Sequence, residues 1–148
     1  MIVWNCATLA IYSDTRTAAE VTEILGVEPH ESAEKGDPTR AALAGRQVKP
    51  EYLTHRRSHW SFEADEALVD PADATGFGSV RVLVERFRDK SDLLAELRSD
   101  CETIIWWSGD SDSSQGGFVI PADLLRGLAE LGCEFRGTAY VTDTSEDN

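Results

Sequence analysis

GGFVIPADLLRGLAELGCEFRGTAYV, running from Gly116 to Val141, marks its own boundaries at nearly every step. Gly116-Gly117 opens it, and Phe118-Val119-Ile120 reads as a short apolar strand. Pro121 suits a first helical residue, where a missing N–H costs no hydrogen bond. Leu124, Leu125, Leu128 and Leu131 then recur at the spacing of one helix face. Gly132 is placed for a left-handed helix stop. Beyond it Cys133, Phe135, Ala139 and Val141 alternate with Glu134, Arg136, Thr138 and Tyr140, the two-residue period of a half-buried strand. The expectation is strand, helix, strand.

A chain of 148 residues is long enough to bury a core of its own. Its hydrophobic and charged fractions, 41% and 28%, are those of a globular protein. The net charge of −13 repels phosphate backbones, whose protein ligands bind by displacing counterions with Lys and Arg, so nucleic acid is excluded as a whole-surface partner. The same charge favours a basic protein partner. Cys6, Cys101 and Cys133 are odd in number and lack metal-ligand spacing, which suits small buried hydrophobes in a reducing compartment. The N-terminus lacks a basic segment followed by a long apolar run, so no signal peptide, membrane span or membrane partner is expected, and the cytoplasm is the expected location.

Upstream, residues 2–12 form a strand with Val3, Ala7, Leu9 and Ile11 on one face, and Ile2, Trp4, Cys6, Ala10 and Tyr12 on the other. Thr17 and Glu20 have capping-box spacing ahead of Val21, Ile24 and Leu25, and Gly26 ends that helix. A second strand is expected at Trp60–Ala64. Val80, Leu83, Val84 and Phe87 carry a helix stripe, continued by Leu93, Leu94 and Leu97 in the same helix or a second one. Glu102–Ser108 is a β-branched and aromatic strand, with Phe118–Ile120 expected to return as its hairpin partner. The adjacent Trp106 and Trp107 must point to opposite faces; the long loop upstream is expected to cover the outer one, the alternative being a partner. The order predicts a single α+β domain over residues 1–141, with an antiparallel or mixed sheet and helices packed mainly on one face. Helices ending in Leu25-Gly26 and Leu131-Gly132 suggest a duplicated βαβ unit, in a ferredoxin-like arrangement. Residues 142–148, acidic and without an apolar anchor, are expected to be a disordered tail.

From His30 to His59 no period holds, and long loops inside compact domains are often functional. Between Lys35 and Trp60, the cations Lys35, Arg40, Arg46, Lys49, Arg56 and Arg57 face only Asp37 and Glu51, a basic island on an acidic body. It reads either as a solvated surface loop or as a site. Glu51, His55 and His59 are four apart, yet Pro50 and two intervening arginines argue against a metal, and none is assigned. Asp110–Gly116 alternates oxygen side chains, but its glycine is late and Pro121 stands where a calcium loop needs a bidentate Glu. No nucleophile elbow, phosphate loop or dinucleotide fingerprint occurs, so no catalytic residue and no cofactor is assigned.

Gly26-Val-Glu-Pro29, Lys35-Gly36-Asp37, Trp60, and Gly116-Gly117-Phe118 through Leu131-Gly132 to Tyr140 together resemble a bacterial family, domain of unknown function 4279. The resemblance spans nearly the whole chain and implies no particular reaction, cofactor or catalytic residue. It draws emphasis to Lys35-Gly36-Asp37 and Trp60, which bracket the basic loop. The candidate binding residues are therefore Lys35, Gly36, Asp37, Arg56, Arg57, His59 and Trp60. The leading expectation is a non-catalytic protein-binding domain, of an immunity or accessory type, that neutralises a basic partner. Its rivals are a small-molecule or anion site, enzymatic or not, in loop 35–60, and a structural oligomer subunit. The oligomeric state is open.

Overall fold

The computed structural model describes residues 1–141; the tail expected at 142–148 lies outside the described residues. The strands are β1 (Ile2–Ser13), β2 (Glu31–Ala33), β3 (Ser58–Glu63), β4 (Glu102–Ser111) and β5 (Glu134–Val141). They form one sheet in the order β2-β3-β1-β4-β5. The β2/β3, β3/β1 and β1/β4 pairs are antiparallel, and β4/β5 is parallel. The helices are α1 (Ala18–Leu25), the single turn α2 (Arg40–Leu43), α3 (Gly78–Phe87), α4 (Ser91–Leu97) and α5 (Ala122–Leu131). The α+β class with a mixed sheet is thus the observed one.

The helix boundaries follow their sequence signals. The Thr17 hydroxyl accepts from the Glu20 N–H at 3.1 Å and starts α1. Gly26 and Gly132 end α1 and α5 at φ 66° and 68°, the left-handed region that glycine enters without a Cβ clash. Val21 and Leu25 of α1, Val80, Leu83, Val84 and Phe87 of α3, Leu94 and Leu97 of α4, and Leu124 and Leu131 of α5 join one buried cluster with Ala7, Leu9, Ile11, Trp60, Ile105 and Trp107 of the sheet. Four helices therefore cover one face. Gly127 is where α5 closes on α3, since a Cβ there would lie 2.6 Å from Val84 Cγ1.

Several expectations are corrected. Phe118–Ile120 is not a strand: it pairs with no strand, its one backbone bond of this kind runs from the Val119 N–H to the Thr75 carbonyl at 3.0 Å, and Phe118 lies against Phe77 at 5.4 Å. The strand before α5 is β4, which reaches Ser111 because its polar end pairs with the start of β1, Ser111 opposite Ile2. The unit is therefore a parallel β4–α5–β5 crossover, with residues 112–121 as connection. Leu125 is 52% exposed and leaves the expected stripe, and Ala139 and Val141 are exposed because β5 is an edge strand with helix cover only near Phe135. The long loop contains β2, too short and polar to show a period. Since β2 and β1 are both antiparallel to β3, they run the same way, and α1 joins them across an inserted strand. The two Leu-Gly helices do not mark the repeat, since α5 joins neighbouring strands whereas α1 crosses β3. The matching units are β1–α1–β2 and β3–α3/α4–β4, two split crossovers in the antiparallel order β2-β3-β1-β4 of a ferredoxin-like arrangement, to which α5 and β5 are added.

A bulge between Ile2 and Trp4 also changes the face assignment in β1. It places Val3 outside and returns Ile2 to the core side with Ala7, Leu9 and Ile11, against the simple alternation. There Ile2 fills space that glycines leave: a Cβ on Gly76 would sit 2.9 Å from Ile2 Cβ, and one on Gly109 would sit 3.1 Å from Ile2 Cγ2.

Candidate functional site

Where helices leave the sheet bare, the strand register assembles a layer of polar and aromatic side chains. Tyr12 stands between its cross-strand partners His59 and Glu102. The Tyr12 and His59 rings stack at 5.1 Å with an interplanar angle of 11°. The Arg57 guanidinium lies 4.5 Å from the Tyr12 ring centre and pairs with Glu102 at 2.7 Å. Glu102 also receives Arg136 at 3.3 Å, and Arg136 in turn lies 5.2 Å from the centre of the Trp106 ring. A continuous run of stacked and paired groups therefore crosses β3, β1, β4 and β5. Trp106 is 40% exposed: the long loop folds over the β2/β3 end of this face and does not reach it. Farther along, Tyr140 and Trp4 are exposed beside Asp110, which the register sets opposite both.

The candidate residues read from the sequence separate into distinct roles. Lys35-Gly36-Asp37 is a tight turn: the Asp37 carboxylate accepts from the Glu34 N–H at 2.8 Å, and the Gly36 N–H donates to the His55 carbonyl at 2.8 Å. Gly36 adopts φ 93°, which excludes a side chain without strain. Trp60 is completely buried, with its indole N–H on Thr22 Oγ1 at 3.1 Å, and presents no wall to a ligand in the loop. Arg57 and His59 meet on the open face. Arg56 points elsewhere and pairs loosely with Glu51 at 3.6 Å. Burial holds the His59 pKa below its ordinary 6.5, and the neighbouring His55, Arg40 and Arg57 act in the same direction. Tyr12, Glu102, Trp106 and Arg136 are not among the sequence candidates, and only the strand register joins them to Arg57. Among the described residues no group of three or more His, Cys, Asp or Glu is placed to hold a metal. Cys101 and Cys133 have raised pKa values, first through burial, so both favour the thiol over the nucleophilic thiolate.

A second feature has no counterpart among the sequence candidates. β3 ends at Glu63, opposite Thr8, so the first half of β1 has no strand on that side. The gap is a cavity of about 700 Å³ walled by Trp4, Phe62, His30 and Arg86 and edged by Glu63, Asp65 and Glu66. The Trp4 indole N–H donates to Glu66 Oε1 at 2.8 Å, and His30 Nδ1 accepts from the Glu63 N–H at 2.9 Å. A shallower depression of about 630 Å³ lies under α2, with Arg40, His55 and His59 in its lining.

Among the described residues no helix is long and apolar enough to cross a membrane. Searches of the curated proteins and of the solved structures returned no match. A family model described as Domain of unknown function (DUF4279) matches residues 3–142. Apart from Ile2, that span takes in every strand and helix described above, and the chain belongs to this family.

Proposed function

We propose that the protein is a non-catalytic binding domain, of an immunity or accessory type, whose partner is a basic protein and whose working surface is the bare face of the sheet. The observation that carries this reading is the exposed aromatic series Trp106, Tyr140 and Trp4, set among Glu102, Glu134, Asp110 and Glu66 on a chain of net charge −13. Aromatic side chains anchor interfaces through large contact areas, while carboxylates around them steer a cationic partner in and make the association salt-sensitive. With the loop 35–60 counted separately at +4 (six cations less Asp37 and Glu51), the rest of the chain carries −17, so the acidic field is stronger than the total suggests.

The anion-binding alternative in the basic loop is weakened by pairing. Arg40 is paired with Glu31, Arg57 with Glu102 and, more loosely, Arg56 with Glu51, so each of these guanidinium groups already has a carboxylate that an anion would have to displace. The depressed pKa of His59 also makes it a poor cation at neutral pH. For the oligomer alternative, sedimentation velocity on the natural chain is the direct check.

The reading is tested by immobilising the natural chain and the double variant Trp106→Ala/Tyr140→Ala, then passing extract of the source cells over both at low salt. Basic proteins retained by the natural chain, released by salt and lost from the variant are the expected result. Equal retention on both, or none on either, would refute the assignment of this face.

A further inference from the structure

We infer that the cavity beside Trp4 is a receptacle for an arginine side chain of the basic partner. This rests on the reading above and adds to it the chemical group recognised and the place where it enters.

The cavity has both components that an arginine requires. A guanidinium is planar, permanently charged and weakly hydrated, so it stacks on ring faces and is held at its edges by carboxylates. The rings are Trp4, 44% exposed, and Phe62. The edge groups are Glu63, Asp65 and Glu66, of which Glu66 is fixed by the Trp4 indole N–H and Asp65 by the Ala67 N–H at 2.9 Å. Three carboxylates against the single guanidinium of Arg86 leave two negative charges in the lining.

The chain already places such a group on these walls. Arg86 reaches from α3 so that its guanidinium carbon lies 5.7 Å from the Phe62 ring centre and 5.8 Å from that of Phe87. Both distances are within the roughly 6 Å reach of a cation–π contact. Among the described residues Arg86 has no carboxylate within 4.0 Å, although three line the same cavity. It therefore occupies the aromatic wall and leaves the acidic edge unused. An incoming arginine completes what Arg86 does not, and competes with it for Phe62. A ligand bearing a carboxylate would instead need Arg86. The two ligand classes thus predict opposite signs for the loss of that residue.

The experiment follows the Trp4 indole N–H by NMR during titration with Nα-acetyl-arginine amide, its neutral isostere Nα-acetyl-citrulline amide, and acetate. It uses the natural chain, Arg86→Ala, and Arg46→Ala as a control with the same change of charge in the loop. The expected result is a saturable shift with the arginine probe, none with citrulline or acetate, and binding about two- to fivefold tighter in Arg86→Ala than in Arg46→Ala. An equal response to citrulline, a shift with acetate lost in Arg86→Ala, weaker arginine binding in that variant, or no shift at all each overturns the proposal. Failure here with salt-reversible retention of basic proteins intact removes the receptacle and leaves the binding surface. Success here with no protein retained does the reverse.

Discussion

The two faces of this sheet are built from the same strands, often from adjacent residues, yet they obey different rules. Trp107 points into the helical layer, stacks on Phe77 at 4.6 Å and gives its indole N–H to the Gly76 carbonyl at 3.0 Å. Trp106, one residue earlier, points away, lies under Arg136 and remains 40% exposed. On the covered face side chains are held by burial of apolar area, which is nondirectional and additive over many contacts. On the bare face they are held by stacking and ion pairs in water, where each contact contributes little. Stability should therefore reside on one face and recognition on the other.

The contrast is most exposed to failure at its extremes. Trp60→Ala removes a completely buried ring and should cost about 3–5 kcal/mol, read from chemical denaturation. A loss below about 1 kcal/mol would mean that the covered face is not the stabilising one. Along α5 the same logic gives a gradient: Leu124→Ala, at a buried position, should cost about 2–5 kcal/mol, Leu128→Ala less, and Leu125→Ala within about 0.5 kcal/mol of zero. A reversed order would reassign the inward face of the helix.

Smaller effects belong to the bare face. Glu102→Gln breaks two ion pairs at once, yet should cost only about 1 kcal/mol because both are partly exposed. Its melting temperature at low and high salt should converge if the pairs act through charge. His59 contributes a pH dependence of defined sign. Its folded pKa lies below 6.5, chiefly through burial, so the unfolded chain takes up a proton first as the pH drops. The contribution is fully present above 6.5 and is lost as the pH falls toward the folded value. His59→Gln should flatten the stability profile in that window, and an unchanged slope would remove His59 as its source. The smallest effect is at Asp100, whose pKa is lowered first by its hydrogen bond with Arg16. The stability from this pair is present above the unfolded carboxylate value and disappears in acid, so Asp100→Asn should differ from the natural chain at neutral pH and not at low pH.

Sequence periodicity made the helical layer legible because Val, Leu and Phe at three- and four-residue spacing line up on one side of a helix and on no single face of a strand. Thr17, Gly26 and Gly132 marked ends that the structure keeps. Phe118-Val119-Ile120 misled because three apolar residues between glycines and a proline look the same whether they pair in a sheet or lie across a neighbouring ring. β2 had no signal, since a three-residue strand acquires its state from its partner β3. The candidate site was legible at Arg57 and His59, and at Trp106 only as the alternative to its being covered by the loop. Tyr12, Glu102, Arg136 and Trp106 join them only through long-range pairing, and nothing local announces that Tyr12 will face Glu102. The cavity at Trp4 depends on where β3 stops and on a bulge, and neither has a sequence signature strong enough to be read in advance.

That bulge reaches beyond its own strand. By turning Ile2 inward it commits a branched side chain to a space bordered by Gly76, before α3, and Gly109, near the end of β4. The second residue of the chain and two glycines far from it therefore share one volume. Substitutions at these positions should be only partly coupled: Ile2→Ala alone opens a void, and it should relieve Gly109→Ala no more than slightly, because the new Cβ would still lie 2.6 Å from the Trp107 ring.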